Sequence, residues 1–181
     1  MEAMKALFLP LSVRIKQMIH QGVIGDLIYM DGQYSYQMPK EYGQHKTDAS
    51  NGGGQEDVGV YPIGYFNFMA DSPIAETTTF ARYNEYGKNM TSNTLIKYEN
   101  GILASAVGGL EVWTENKMRI YGTEGYIEVY NFWKAAKGKL VKGDTVMDLA
   151  GEMESDFLYE TNHFAECIQK GLAESQVMGE F

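Results

Sequence analysis

Five short segments between residues 77 and 130 constrain the fold of this chain more than any other feature of its sequence. They are rich in β-branched and aromatic side chains, which favour strands, and they cover residues 77–83, 91–98, 102–110, 113–121 and 125–130. Turn sequences separate them, and Asn100-Gly101 suits a two-residue hairpin turn. Connections this short cannot hold a crossover helix, so the strands should pair mainly antiparallel.

Helices are predicted before and after this run of strands. Apolar side chains recur at helical spacing over residues 10–21, and Gly22 can close that helix. Residues 57–69 have an apolar and aromatic face, and Pro62 should kink or restart this helix because proline removes a helical donor. A last helix is predicted over residues 155–170, with one apolar face made by Phe157, Thr161, Phe164 and Ile168.

The remaining segments complete an α+β fold. Residues 26–36 alternate like a strand, residues 139–141 and 146–149 are weaker strands, and residues 38–54 are polar and rich in glycine, as in a loop. Residues 1–8 are apolar but have no turn before them. The predicted fold class is α+β, an open, largely antiparallel β-sheet flanked by helices within one domain.

Composition excludes several classes of protein. A chain of 181 residues suits one domain and is short for a dehydrogenase with separate nucleotide and catalytic domains, which needs roughly 300 residues. The single cysteine, Cys167, leaves no disulfide framework and favours a reducing compartment, so a cytoplasmic location is predicted. No apolar stretch reaches the roughly 18 residues of a membrane span, and three scattered histidines predict no metal site.

Charge is unevenly distributed along the chain. There are 24 acidic and 15 basic residues, a net charge of -9, and residues 144–181 contain nine acids against one base, Lys170. No basic stripe is present to neutralise phosphates, so nucleic acid is excluded as a partner. The acidic C-terminal part is interpreted as a solvated surface.

The segment from Gly52 to Tyr61 is the most specific in the sequence. Its three successive glycines would let a ligand approach the backbone. Asp57 and Tyr61 are four residues apart, so a helix places both on one face, where a carboxylate and a phenol can orient a substrate hydroxyl and relay its proton. Such a pair also occurs as a purely structural contact.

The same glycines do not form a dinucleotide-binding fingerprint. Asp57 stands where that pattern requires glycine or alanine, and no strand directly precedes the segment. In the polar loop before it, His45 and Lys46 are candidates for substrate contact, with solvated side chains as the alternative.

Four blocks, in order, resemble the C-terminal domain of the Gfo/Idh/MocA oxidoreductases. They are Gly22-Val23-Ile24-Gly25-Asp26, the glycine-rich segment through Asp57-Val58-Gly59-Val60-Tyr61-Pro62, Ile120-Tyr121-Gly122-Thr123-Glu124-Gly125-Tyr126-Ile127, and Glu160-Thr161-Asn162-His163-Phe164-Ala165-Glu166-Cys167-Ile168. The resemblance runs from about residue 8 to about residue 177. The Asp-x-Gly-x-Tyr pattern is similar to the glucose–fructose oxidoreductase and dihydrodiol dehydrogenase branches.

The resemblance implies a two-domain architecture. A Rossmann domain binds NAD or NADP, and a glyceraldehyde-3-phosphate-dehydrogenase-like C-terminal domain shapes the substrate site and pairs subunits through its sheet face. Residues 9–181 are then this C-terminal domain, and residues 1–8 are the remnant of the last strand of a nucleotide-binding domain that the chain lacks. A homodimer or higher oligomer is expected.

The resemblance also implies site roles and an activity. It makes Tyr61 and Asp57 the catalytic acid/base positions, places Gly53, Gly54, His45 and Lys46 near substrate, and leaves the cofactor mainly to the other domain. The reaction would be hydride transfer on a sugar, polyol or related carbinol.

A phenol has a pKa of about 10 and needs a nearby cation to act as a base. The family's Glu-Lys-Pro lysine is not in this sequence, so the chain alone should be inactive. The alternative is a non-catalytic binding or oligomerisation module without a nucleotide-binding domain.

Overall fold

The computed structural model describes residues 3–39, 52–175 and 177 and has the predicted α+β architecture. Its helices are a 3₁₀ helix at Lys5–Phe8, α1 at Pro10–His20, a π-helical segment at Gln55–Gly59 that continues into α2 at Val60–Ala70, a 3₁₀ helix at Phe132–Lys134, and α3 at Leu158–Gln169. Its strands are β1 at Leu27–Ser35, β2 at Ile74–Tyr83, β3 at Asn89–Tyr98, β4 at Leu103–Gly109, β5 at Lys117–Gly122, β6 at Tyr126–Tyr130, β7 at Lys137–Lys142 and β8 at Thr145–Ala150.

All eight strands form one sheet in the order β2-β3-β4-β1-β5-β6-β7-β8. Neighbours pair antiparallel except β1 and β4, which run parallel with Tyr29 opposite Leu103. The sheet is therefore largely antiparallel, as predicted. Strands β4 and β5 follow one another in sequence but do not pair, because β1 lies between them. Residues 110–116 connect β4 to β5 past the end of β1 instead of forming a hairpin turn.

The helices cover one face of the sheet and leave the other open. Alternate strand residues are buried against the helices, among them Met30, Ile96, Ile120 and Ile127, and they pack with Phe66 and other apolar side chains of α1 and α2. Because side chains alternate across a strand, the residues between them point to the open face. An antiparallel sheet covered on one side has this arrangement.

The N-terminal segment differs from its predicted form. Residues 1–8 were expected to resemble a strand, but Lys5–Phe8 is a 3₁₀ helix. Leu7 is 0% exposed and Met4 5%, both within the core of this domain. The short helix lets these apolar side chains turn inward, whereas a strand without a neighbouring strand would leave its backbone unpaired. The assignment of residues 1–8 to a nucleotide-binding domain stays a prediction.

The structure gives more detail on two helix predictions. Pro62 lies in the first turn of α2, directly after the π-helical segment, so the helix changes from π to α geometry next to this proline, as expected for a restart of the helix there. On α3 the predicted apolar face points outward, since Phe164 is 49% exposed and Ile168 63%. The opposite side of α3 packs on the first 3₁₀ helix, with the Phe8 and His163 rings 4.8 Å apart, and Cys167 is buried.

The strand predicted at residues 113–121 begins only at Lys117. Trp113 is 69% exposed, and Asn116 takes the left-handed conformation with φ 54°, which turns the chain into β5. The local preference of tryptophan for strands is overridden here because β1, not β5, occupies the position beside β4.

Candidate active site

The start of α2 rests directly on the backbone of β4. A Cβ added to Gly108 would lie 2.6 Å from the Cα of Gly59 and 2.8 Å from its nitrogen, closer than real Cβ contacts. Only a residue without a side chain allows the strand and the helix to approach this closely. The contact places the π-helical segment against the sheet and fixes where α2 begins.

The glycine-rich turn contacts the neighbouring strand in the same way. A Cβ on Gly53 would lie 2.2 Å from the carbonyl oxygen of Asn89, and one on Gly54 would lie 2.8 Å from that of Met90. The Gly53 N–H also donates to Glu56 Oε2 at 2.9 Å. Close packing against β3 thus accounts for both glycines, and their contact with substrate stays a prediction.

Asp57 and Tyr61 lie one turn apart where the π-helical segment passes into α2, and both are half-buried. The hydroxyl of Tyr36, just after β1, donates to Asp57 Oδ2 at 2.8 Å. The predicted pair is therefore brought to one site, next to the end of β1. A carboxylate held at such a place can accept a hydrogen bond from a substrate hydroxyl.

A cluster of aromatic rings adjoins Tyr61. The Tyr34 ring meets the Tyr61 ring edge-on, with centroids 5.3 Å apart at 83°, and stacks on Trp133 at 3.9 Å and 8°. Phe132, fully buried, packs edge-on against both Tyr34 and Trp133. Offset and edge-to-face contacts of this kind hold rings in defined orientations.

Sequence reasoning found one half of this site and missed the other. It identified Asp57 and Tyr61, but it placed Tyr34 and Tyr36 only within the predicted strand 26–36 and did not identify Trp133. The shared parity of Tyr34 and Tyr36 was the available signal, but nothing in the sequence indicates that β1 ends beside α2. His45 and Lys46 lie outside the described residues.

The glycine-rich turn does not fit a nicotinamide dinucleotide. A phosphate cradle needs backbone N–H groups that face a ligand across an open space, whereas Gly53 and Gly54 face the backbone of β3. Among the described residues there is also no group of three or more His, Cys, Asp or Glu side chains that could hold a metal ion. What this site offers is a carboxylate, a phenol and an aromatic wall.

The open face of the sheet carries a second set of polar contacts. Arg119 Nε donates to Glu128 Oε2 at 2.7 Å, and Lys117 Nζ lies 3.2 Å from the same oxygen. Next to them, burial raises the pKa of Asp31, against a hydrogen bond from Tyr121 and the charge of Arg119, which act to lower it. Asp31 is thus partly desolvated before anything covers this face.

No helix within the described ranges combines the length and apolar character that crossing a membrane requires.

A family comparison agrees with this fold. Residues 12–128 match the model of the GFO/IDH/MocA C-terminal domain. The chain therefore belongs to the GFO/IDH/MocA oxidoreductase family, through its C-terminal domain.

Two relatives are similar to nearly the whole length of this chain. The chain is 28% identical to trans-1,2-dihydrobenzene-1,2-diol dehydrogenase of Mus musculus and 24% identical to the Homo sapiens enzyme, and in each case 98% of the chain is covered. It spans 56% of the length of each of these relatives.

Solved structures share the fold at lower identity. An aldose-aldose oxidoreductase from Caulobacter crescentus, crystallised with glycerol, superposes with a TM-score of 0.84 at 16% identity, over 97% of this chain and 55% of that one. A 3-ketoreductase from Actinomadura kijaniata, crystallised with TDP-benzene and NADP, gives 0.83 at 20% identity, over 94% and 55%.

Proposed function

We propose that this chain is the substrate-binding and dimerisation part of an NAD(P)-dependent oxidoreductase that acts by hydride transfer on a sugar, polyol or related carbinol. The observation that carries the proposal is the placement of Asp57 and Tyr61 one turn apart, with the Tyr36 hydroxyl 2.8 Å from the Asp57 carboxylate. The names of the relatives, which are oxidoreductases of diols and sugars, support it.

In this proposal each residue has a chemical role. Tyr61 exchanges the proton of the substrate hydroxyl, and Asp57 accepts a hydrogen bond that orients the substrate or Tyr61. The Tyr34–Trp133 stack forms an apolar wall beside them, suited to the C–H face of a ring. His45 and Lys46 are proposed as further substrate contacts. The dinucleotide is held mainly by a separate nucleotide-binding domain, because the glycine-rich turn here does not fit it.

Helix α3 supports the presence of such a companion domain. Phe157, directly before this helix, and Phe164 and Ile168 on it are 58%, 49% and 63% exposed. Contiguous exposed apolar side chains of this kind mark surfaces that pack against other protein.

Activity tests this proposal directly. With a nucleotide-binding domain fused before Met1, the protein should reduce NAD or NADP in the presence of trans-1,2-dihydrobenzene-1,2-diol or myo-inositol, followed by the absorbance of the reduced cofactor. Tyr61→Phe should lower the rate by about 10²–10⁴-fold. Tyr86→Phe, at the exposed β2–β3 turn, is the matched control and should leave the rate unchanged.

The same experiment separates this proposal from the alternative of a non-catalytic module. Binding of the diol by calorimetry, without turnover in the fused protein and without any effect of Tyr61→Phe on affinity, would favour the module. Turnover that depends on Tyr61 would exclude it.

The proposed dimer forms through the open face of the sheet. Leu95 on β3 and Leu103 on β4 are 50% and 49% exposed there, and Phe80 on β2 is 73% exposed. Several charges on this face are paired within the chain, as in the 2.8 Å contact of Lys97 with Glu76. A chain of net charge -9 can bring this neutralised face against a second copy with less repulsion than its other surfaces would cause.

Light scattering at micromolar concentration should give the mass of a dimer. Leu103→Asp should shift it to the monomer, because it places an unpaired carboxylate in the interface. Tyr86→Asp, at the exposed β2–β3 turn, is a control of similar exposure and should leave the dimer intact. A parent protein that stays monomeric would refute this part of the proposal.

A further inference from the structure

Two side chains at the end of β1 and two side chains at the start of α2 have similar separations. Tyr34 and Tyr36 are two residues apart on the same side of the chain, about 6.6–6.8 Å along a strand. Asp57 and Tyr61 are four apart, and side chains at this spacing lie about 5–6 Å from each other on a helix. The two pairs meet in antiparallel order, Tyr36 with Asp57 and Tyr34 with Tyr61.

From this match we infer that Tyr34 and Tyr36 are positioning residues, each of which holds one member of the Asp57–Tyr61 pair in its working orientation. The inference rests on the proposed function of that pair. Tyr36 acts by a hydrogen bond, and Tyr34 acts by ring packing. Tyr36 does not need to touch the substrate for this role, and Tyr34 has it in addition to its place in the apolar wall.

The Tyr36 contact fixes the carboxyl group. The Tyr36 hydroxyl, 2.8 Å from Oδ2, restricts the rotation of the Asp57 side chain, and a hydrogen bond to a carboxylate is stronger than one between neutral groups. Phenylalanine at position 36 would fill the same space without that bond. The hydroxyl is therefore the part of Tyr36 on which the inference depends.

The Tyr34 contact fixes the phenol ring. Tyr34 is itself clamped, because it stacks on Trp133 at 3.9 Å, and Trp133 packs edge-on against the buried Phe132. The Tyr61 ring meets this assembly edge-on at 5.3 Å. A rigid neighbour on one side limits the rotation of Tyr61 and keeps its hydroxyl directed to one place.

A double-mutant cycle without ligand tests the first contact. Tyr36→Phe, Asp57→Ala and the double variant are unfolded with urea, and the coupling between the two positions is measured. A hydrogen bond to a charged group predicts a coupling of about tenfold in the unfolding equilibrium constant. The matched pair, Tyr126→Phe with Asp57→Ala, should show no coupling. Additive losses for Tyr36 and Asp57 would overturn the inference.

Binding of trans-1,2-dihydrobenzene-1,2-diol to the full chain tests the working role. In a Trp113→Phe background Trp133 is the one remaining tryptophan of the sequence, and its emission reports on the Tyr34 stack. Tyr36→Phe should weaken diol binding about tenfold, with no further loss when Asp57→Asn is added. Tyr34→Leu should weaken binding and abolish the emission change, and Tyr34→Phe, which keeps the ring, should restore both.

The outcomes separate this inference from the proposed function. If the parent binds the diol and both Tyr36→Phe and Tyr34→Leu bind it equally well, the positioning role is refuted and the proposed function stands. If the parent binds no diol while the unfolding cycle is coupled, the contacts are packing contacts and the positioning role is refuted, whereas the proposed function is decided by turnover of the fused protein.

Discussion

Replacement of Gly108 by alanine should displace the proposed active site and destabilise the fold. The new Cβ would lie 2.6 Å from the Cα of Gly59, whereas non-bonded carbons separate at about 3.5–4.0 Å. The strand and the start of α2 must therefore move apart by about 1 Å. Both contacting atoms at Gly59 are backbone atoms, so no side-chain rotation can relieve the clash.

The energetic cost follows from this overlap. Overpacking a close contact costs about 1–3 kcal/mol, and the backbone contact places Gly108→Ala at the upper end. Alanine recovers about 0.4–1 kcal/mol by restricting the unfolded chain, which leaves a net loss of about 2 kcal/mol. In a domain of this size the midpoint of thermal unfolding should fall by about 4–8 °C.

Urea unfolding followed by circular dichroism measures this loss, with the slope of the transition unchanged. Gly109→Ala is the matched control on the opposite face of β4. Its Cβ would meet side-chain atoms, Val112 Cγ1 at 3.0 Å and Thr91 Oγ1 at 3.1 Å, which can rotate away. The control should change stability by less than about 0.5 kcal/mol.

Equal stability of the two alanine variants would refute the reasoning. It would mean that α2 does not rest on the Gly108 backbone. A displacement of about 1 Å should also weaken the proposed catalysis about a hundredfold in the fused protein, even though Gly108 touches no substrate. Unchanged activity together with lost stability would place the strain away from the site.

Three further changes test other contacts. Asp31→Asn should raise the midpoint of thermal unfolding near neutral pH, because burial raises the pKa of Asp31 and its ionisation then opposes folding. At acidic pH, below the ordinary pKa range of carboxyl groups, the two proteins should have the same midpoint. Thermal unfolding at a series of pH values measures this difference. Tyr98→Phe should cost about 1 kcal/mol in urea unfolding, since it removes the 2.7 Å hydrogen bond to Asn67. Glu124→Gln should leave the midpoint unchanged, because its 2.7 Å ion pair with Lys142 is exposed to water.

Much of the fold could be predicted because local patterns report secondary structure. Helix α1 ends at His20, within one residue of its predicted end, and each strand from β2 to β8 overlaps a segment predicted as a strand. These elements are determined by neighbours in sequence, through side-chain spacing and turn chemistry.

Strand order could not be predicted in the same way. The insertion of β1 between β4 and β5 joins segments more than 70 residues apart, such as Tyr29 and Leu103. This order depends on how β1, β4 and β5 pack together in the folded sheet. No sequence pattern within any one of these strands indicates it. The outward apolar side of α3 is decided likewise, by what the rest of the domain covers.

The candidate site also has one part that is local in sequence and one part that depends on the tertiary structure. The sequence by itself determined the Asp57–Tyr61 pair, because a four-residue spacing on a helix is a local property. Only the tertiary structure brought Tyr36 to within 2.8 Å of Asp57 and set Tyr34 between Tyr61 and Trp133, a residue 99 positions away from Tyr34 in sequence. The physical reason is the close approach of α2 to β4 at Gly59 and Gly108, which brings the start of that helix beside the end of β1.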